Sequence, residues 1–206
     1  MKLYFNYFSI ILRSQMQFKK SFVFVIIGQI FYMLTGFFSI YFMLMRFNTV
    51  NGFTFSQIML CYGVLLASFS LVECFLRGFD SFTGIISSGE FDWIMVRPRN
   101  EISQVLAARI EFSRIGRFLV GAGMLIYAIR NSGIVWTPDK IFTLSFMMIG
   151  GVFVFSGLFI IYAGICFFST EGLEFMSFFI YGNRTFGRYP LSIYGEGILR
   201  LLTYVI

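Results

Sequence analysis

An all-α polytopic membrane protein is the fold class the sequence predicts, and three observations predict it. First, 58% of the 206 residues are hydrophobic and only 13% are charged, whereas charged residues make up about a quarter of a soluble domain. With 30 Phe and a mean hydropathy of +0.80, no water-soluble domain of this length could bury its large apolar side chains. Second, uncharged apolar runs long enough to cross a bilayer recur along the chain. Third, the basic residues flank those runs, as membrane topology requires.

The elements follow in order. Residues 1–20 carry Lys2, Arg13, Lys19 and Lys20 and no acid, with Leu3, Phe8, Ile11, Leu12 and Met16 between them. This pattern predicts an amphipathic helix lying in the membrane interface, in contact with lipid. A signal peptide fits less well, because the charged region is long and no small-residue cleavage site follows. Residues 21–45 hold no charge and as a helix would rise about 37 Å, enough for a hydrocarbon core of about 30 Å. The second span is expected over 56–76, after the polar stretch NTVNGFTFSQ.

For the third span, the apolar run 118–129 is short. Ile102, Val105, Leu106 and Ile110 recur upstream at helical spacing. One long helix from about 101 to 130 is expected, with 112–130 in the membrane and its first turns projecting from it. NSGIVWTPDK is a turn, 141–168 is a fourth span, and 172–185 is a short fifth. Lys and Arg concentrate at the N-terminus and in 73–117, where Arg77, Arg97, Arg99, Arg109, Arg114 and Arg117 lie. The positive-inside rule therefore places both in the cytoplasm.

Several chemistries are excluded. The chain has no His, so no H-E-x-x-H zinc site and no Ser–His pair exist. Cys61, Cys74 and Cys166 show no C-x-x-C spacing, and no metal site is expected. Asp80, Asp92 and Asp139 sit at span ends or in loops, not paired in adjacent spans. There is no phosphate-binding G-x-x-x-x-G-K-[ST] loop. The net charge of +6, from 16 basic and 10 acidic residues, does not point to nucleic acid, because the cations are not gathered on a polar surface. Gly121 and Gly123, and Gly150 with Gly151, read most simply as close-packing sites between helices. Glu73, Arg77 and Asp80 share one helix face at i, i+4, i+7 and are expected to pair as a self-neutralised span end. Glu171 and Glu174 are read as acids at a helix start.

One polar passage stands out, SSGEFDWIMVRPRN at 87–100. It predicts a short helix over 88–96, within a segment 88–98, capped by Ser88, with Glu90 and Asp92 in its first turn and Pro98 ending it. Phe91, Ile94 and Met95 are spaced to form an apolar face, and Trp93 lies off it. So short a helix is not stable alone and must dock. The residues themselves leave open whether it docks on the chain's own spans, on another protein or on lipid headgroups.

The run Gly89, Glu90, Phe91, Asp92, Ile94, Met95, Arg97, Pro98 resembles the G-E-[LF]-D-x-[LI]-[LM]-x-R-P signature of permease subunits of bacterial ABC exporters of the ABC-2 type. FGRYPLSIY at 186–194 is similar to a second motif of that family, which starts a re-entrant segment on the outer side. The order of elements agrees over essentially the whole chain.

The resemblance implies that the segment from Gly89 to Pro98, Trp93 included, is a coupling helix seated in a groove of a separate nucleotide-binding ATPase. Phe91, Trp93 and Ile94 would be its anchors, and Glu90, Asp92 and Arg97 its charged contacts. Tyr189, Pro190, Leu191, Ser192, Ile193 and Tyr194 would form the re-entrant motif. Six spans are expected of the family, so 186–206 is expected to be that outer segment, cut short at Ile206. The chain would be no enzyme and hold no cofactor itself, ATP and Mg belonging to the ATPase. A second permease, identical or related, would complete an exporter of an amphipathic cargo (drug, peptide or lipid-like) in the bacterial cytoplasmic membrane. The rival reading is a membrane anchor or scaffold that recruits a cytoplasmic partner without transporting anything.

Overall fold

The structure is a computed structural model and describes residues 2–47, 52–168, 178–182 and 195–197. Those residues are mostly helical, with no strand among the elements they form. The helices are α1 (Lys2–Gln17), α2 (Lys19–Phe47), α3 (Phe55–Phe75), α4 (Arg77–Asp80), α5 (Phe82–Ser87), α6 (Glu90–Met95), α7 (Glu101–Ala108), α8 (Ile115–Asn131) and α9 (Pro138–Phe168). A 3-10 turn, Phe112–Arg114, leads into α8, and a π-helical turn covers Phe178–Gly182. Four stretches are long and apolar enough to cross a membrane: Lys19–Arg46, Phe55–Phe75, Phe112–Asn131 and Pro138–Phe168. The chain is therefore an all-α, multi-pass membrane protein. Most of the expected fifth span, with Glu171 and Glu174, lies outside the described residues, as does the whole motif Tyr189–Tyr194.

The bundle is organised around α3. Thr54 opens this helix by a local exchange: its N–H donates to Gln57 Oε1 at 3.0 Å and its C=O accepts from the Gln57 N–H at 3.1 Å. Most of the α3 span is buried, whereas the α2 and α9 spans are mostly exposed. Exposed Phe and Ile on those two helices are what a lipid-facing or partner-facing surface requires.

Small residues set how close the helices come. A Cβ on Gly121 would stand 2.9 Å from the Ala67 N, and one on Gly63 would stand 2.9 Å from Leu125 Cγ. Residues 63 and 67 thus meet 125 and 121 in turn, so α3 and α8 run antiparallel in one register. Gly151 meets Ser68, whose hydroxyl donates to Met148 C=O at 3.1 Å. The packing role expected of Gly121 and Gly151 is thus met, while Gly123 and Gly150 have no neighbour that a Cβ would touch.

The expected single helix over 101–130 is a correction. It breaks after Ala108: Arg109 has φ −136° and ψ 73°, and Glu111 has φ −107° and ψ 90°. Two forces favour the break. Helix α7 is drawn against α4, where Gly78 lies against the backbone of Val105 and Leu106, so it cannot continue the line of α8. The polar residues at the break also gain partners that an unbroken helix would deny them. Glu111 pairs with Arg114 at 2.6 Å and with Arg77 at 3.5 Å, and Gln15 Nε2 on α1 donates to the freed Ile110 C=O at 3.0 Å. Asn100 starts α7 by accepting the Ser103 N–H at 3.1 Å.

Gly78 has no room for even a methyl group, and what it touches is main chain, which does not yield as a side-chain tip does. Gly78→Val is expected to separate α4 from α7 and lower the unfolding temperature in detergent by several degrees. Gly123→Val, where nothing is close, is the matched control and should leave it unchanged.

Candidate partner-docking site

Helix α6 is built by the turn that precedes it. Gly89 adopts φ +73°, a left-handed conformation that favours glycine. It closes α5, its N–H bonding the Ile86 C=O at 3.0 Å, and opens α6, its C=O accepting the Asp92 N–H at 3.3 Å. The expectation that Ser88 caps the helix is corrected: its hydroxyl donates backwards to Ile85 C=O at 3.3 Å, so it serves the end of α5. Glu90 and Asp92 do occupy the first turn of α6, where the helix dipole favours acids.

Two of the apolar residues of α6 face the chain's own core. Ile94 is buried, and Phe91 packs edge-on against Phe82 and Phe167, with ring centroids 5.3 and 5.4 Å away. They join a cluster that includes Phe69, Ile85, Val105 and Phe159, so α6 is fixed to α5, α7 and α9. Buried Gln104 on α7 adds a strap, its Nε2 donating to the Arg99 C=O at 3.2 Å. Sequence reasoning missed Gln104. Its only signal was a polar residue on the apolar face of α7.

The opposite side of α6 is open. Trp93 is 74% exposed, Val96 81% and Met95 51%. Arg97, Pro98 and Arg99 continue this exposed surface, and Asp92 lies on it. Glu90 is exposed as well, with Arg109 at 4.0 Å, a pair too open to contribute much. The residues singled out from sequence thus divide. Phe91 and Ile94 hold the helix to the fold, while Trp93, Met95 and Val96 present an apolar patch ringed by Asp92, Arg97 and Arg99. Exposed Trp with flanking Arg is the composition of an interface anchor rather than of a solvated turn.

Where the end of α3 meets α4 and the turn into α8, six charges gather. Glu73, fully buried near the end of α3, receives Arg117 at 2.5 Å, Arg114 at 3.7 Å and Arg77 at 4.0 Å. Arg77 also pairs with Asp80 and donates to the Tyr181 hydroxyl at 3.1 Å, which donates in turn to Asp80 at 2.9 Å. With Glu111 the cluster holds three acids and three arginines, so it is neutral as a whole. Burial disfavours the Arg77 charge, but Asp80, Tyr181 and Glu111 outweigh it, so its pKa is raised and it stays protonated. The local pairing expected of Glu73, Arg77 and Asp80 is present. Sequence spacing gave no sign of the closest partner of Glu73, Arg117, which is 44 residues away.

The comparisons with known proteins bear on this arrangement. The family described as "ABC-2 family transporter protein" matches residues 30–206, which takes in part of the first span, the three later ones, α6 and the charge cluster. The chain belongs to the ABC-2 transporter family. No curated protein and no solved structure matches it. As an ABC-2 type permease the chain is a membrane component of a transporter.

Proposed function

We propose that this permease is the membrane-spanning subunit of an ATP-driven exporter and that α6 is its coupling helix. The observation that carries the reading is the divided surface of α6. A free amphipathic turn would hide its largest apolar residue, yet here Trp93 is exposed while Phe91 and Ile94 anchor the helix beneath it. That is the form of a rigid peg awaiting a socket. The socket would belong to a separate nucleotide-binding ATPase holding ATP and Mg, on the cytoplasmic side with the N-terminus. A second permease, identical or related, would complete the pathway. Closure of the ATPases on ATP would push α6, and its packing on α5, α7 and α9 would pass the push to the spans.

The cargo suited to this interior is amphipathic. An apolar recess of about 300 Å³ lies between α2 and α8, lined by Leu34, Phe37, Val120, Gly123, Met124 and Tyr127. This is room for the apolar part of a drug, peptide or lipid-like molecule.

The test is to solubilise the tagged full-length chain from its own cells in mild detergent and assay ATP hydrolysis in the eluate. The expected result is vanadate-sensitive hydrolysis. Its absence would support the anchor reading instead.

A further inference from the structure

The α2 span buries side chains only along its far part, at Met33, Ile40 and Leu44, and no residue between 19 and 32 is buried. Yet the part before Met33 is tied by a specific polar chain. Arg117 on α8 donates through Nε to Gln29 Oε1 on α2 at 2.5 Å and through Nη1 to Glu73 on α3 at 2.5 Å. The same guanidinium lies over the Tyr32 ring, one turn further along α2, 5.9 Å from its centroid. Glu73 is in turn shared with Arg77 of α4 and with Arg114 of the turn that enters α8, and Arg77 reaches Glu111 and Asp80.

One side chain therefore connects the segment carrying α6 to the part of α2 before Met33, where no residue is buried. A buried guanidinium held on two sides in fixed geometry is stiff, whereas apolar contacts on α2 would let it slide.

We infer that Arg117 and Gln29 are positioning residues for transport: the chain Glu73–Arg117–Gln29 carries a displacement of the α6 segment into the first span. This rests on the reading of α6 as a coupling helix. Gln29 is the decisive link, because removing its amide leaves Arg117 paired with Glu73 and exposes no unpaired charge. Gln29→Leu keeps size and shape and cuts only the tie to α2. Gln29→Glu keeps an acceptor for Arg117 and should restore the tie. A merely structural role for Gln29 would not link a nucleotide-dependent motion to the presence of that acceptor.

The experiment uses the full chain with its co-purified ATPase. Spin labels are placed at Phe24→Cys on α2 and Ile161→Cys on α9, both exposed positions at the α6 end. Half-buried Cys61 is changed to Ser, while Cys74 and Cys166 are buried. The distance between labels is measured without nucleotide and with ATP and vanadate. In the parent and in Gln29→Glu the distance is expected to shift with nucleotide. In Gln29→Leu the shift is expected to vanish, with equal ATPase recovered and hydrolysis persisting. A shift of undiminished size in Gln29→Leu would overturn the inference, as would a parent that binds ATPase but shows no shift. No ATPase with the parent chain would instead overturn the coupling reading, and the inference with it.

Discussion

Glu73→Ala is expected to be the most destabilising single change in this protein. The carboxylate is fully buried and takes Arg117 at 2.5 Å, with Arg114 and Arg77 within 4.0 Å. Removing it opens a cavity, takes from Arg117 its carboxylate partner and leaves the cluster with one positive charge in excess, since only Asp80 and Glu111 remain with the three arginines. Breaking a buried pair by deleting one partner costs about 3–5 kcal/mol, a large part of the total stability of about 5–15 kcal/mol typical of a folded domain. The expected result in detergent is a steep fall in unfolding temperature and in recovered monodisperse protein. Glu73→Gln should cost less, since its amide oxygen still accepts from Arg117. The double variant Glu73→Met, Arg117→Met should be milder than the sum of its parts, because an apolar pair of similar volume replaces an ion pair at small net cost. A Glu73→Ala protein as stable as the parent would show that the six charges are not held as described.

The second large effect concerns the partner. Trp93→Ala with Val96→Ala is expected to abolish co-purification of ATP-hydrolysing activity while leaving the permease folded. Both side chains are mostly exposed, so their loss opens no cavity. As central anchors of an interface each is worth about 2 kcal/mol or more, and a combined loss of about 4 kcal/mol weakens binding by roughly a thousandfold. Phe91→Ala should do the reverse. It removes a ring packed between Phe82 and Phe167, so it should lower the unfolding temperature first and partner capture only through that. Equal loss of activity and of folded protein in both variants would mean that α6 has a structural role alone.

Four of the five expected spans were legible because length and apolarity decide them: 25 uncharged residues from 21 to 45 have no other stable home. The polar segment at 87–100 was legible because its acids, its Pro and its Gly break an apolar sequence. Its orientation was not. Phe91, Trp93, Ile94, Met95 and Val96 follow at about 100° steps around a helix axis, so apolar residues point in every direction. Only packing against Phe82 and Phe167 selects the buried side.

The break at Arg109–Glu111 was hidden for a related reason. Periodicity runs through it, and the force that bends the chain is the approach of Gly78 to α7 together with charges supplied by α3 and α4. The Glu73–Arg117 pair was equally invisible, since spacing rules see neighbours at i+3 and i+4 and not a partner brought up by the antiparallel register of α3 and α8. That register depends on Gly63 and Gly121, whose role was legible only as a tendency to pack closely.

The central claim is that the exposed side of α6 seats in a nucleotide-binding subunit. The most direct measurement is cross-linking from Val96→Cys in native membranes with a short thiol-to-amine reagent, followed by mass spectrometry of the adduct. One dominant adduct is expected, accessible from the cytoplasmic side, whose second component carries a phosphate-binding G-x-x-x-x-G-K-[ST] loop. An adduct only with lipid, with a second copy of this chain, or with a protein lacking that loop would contradict the claim.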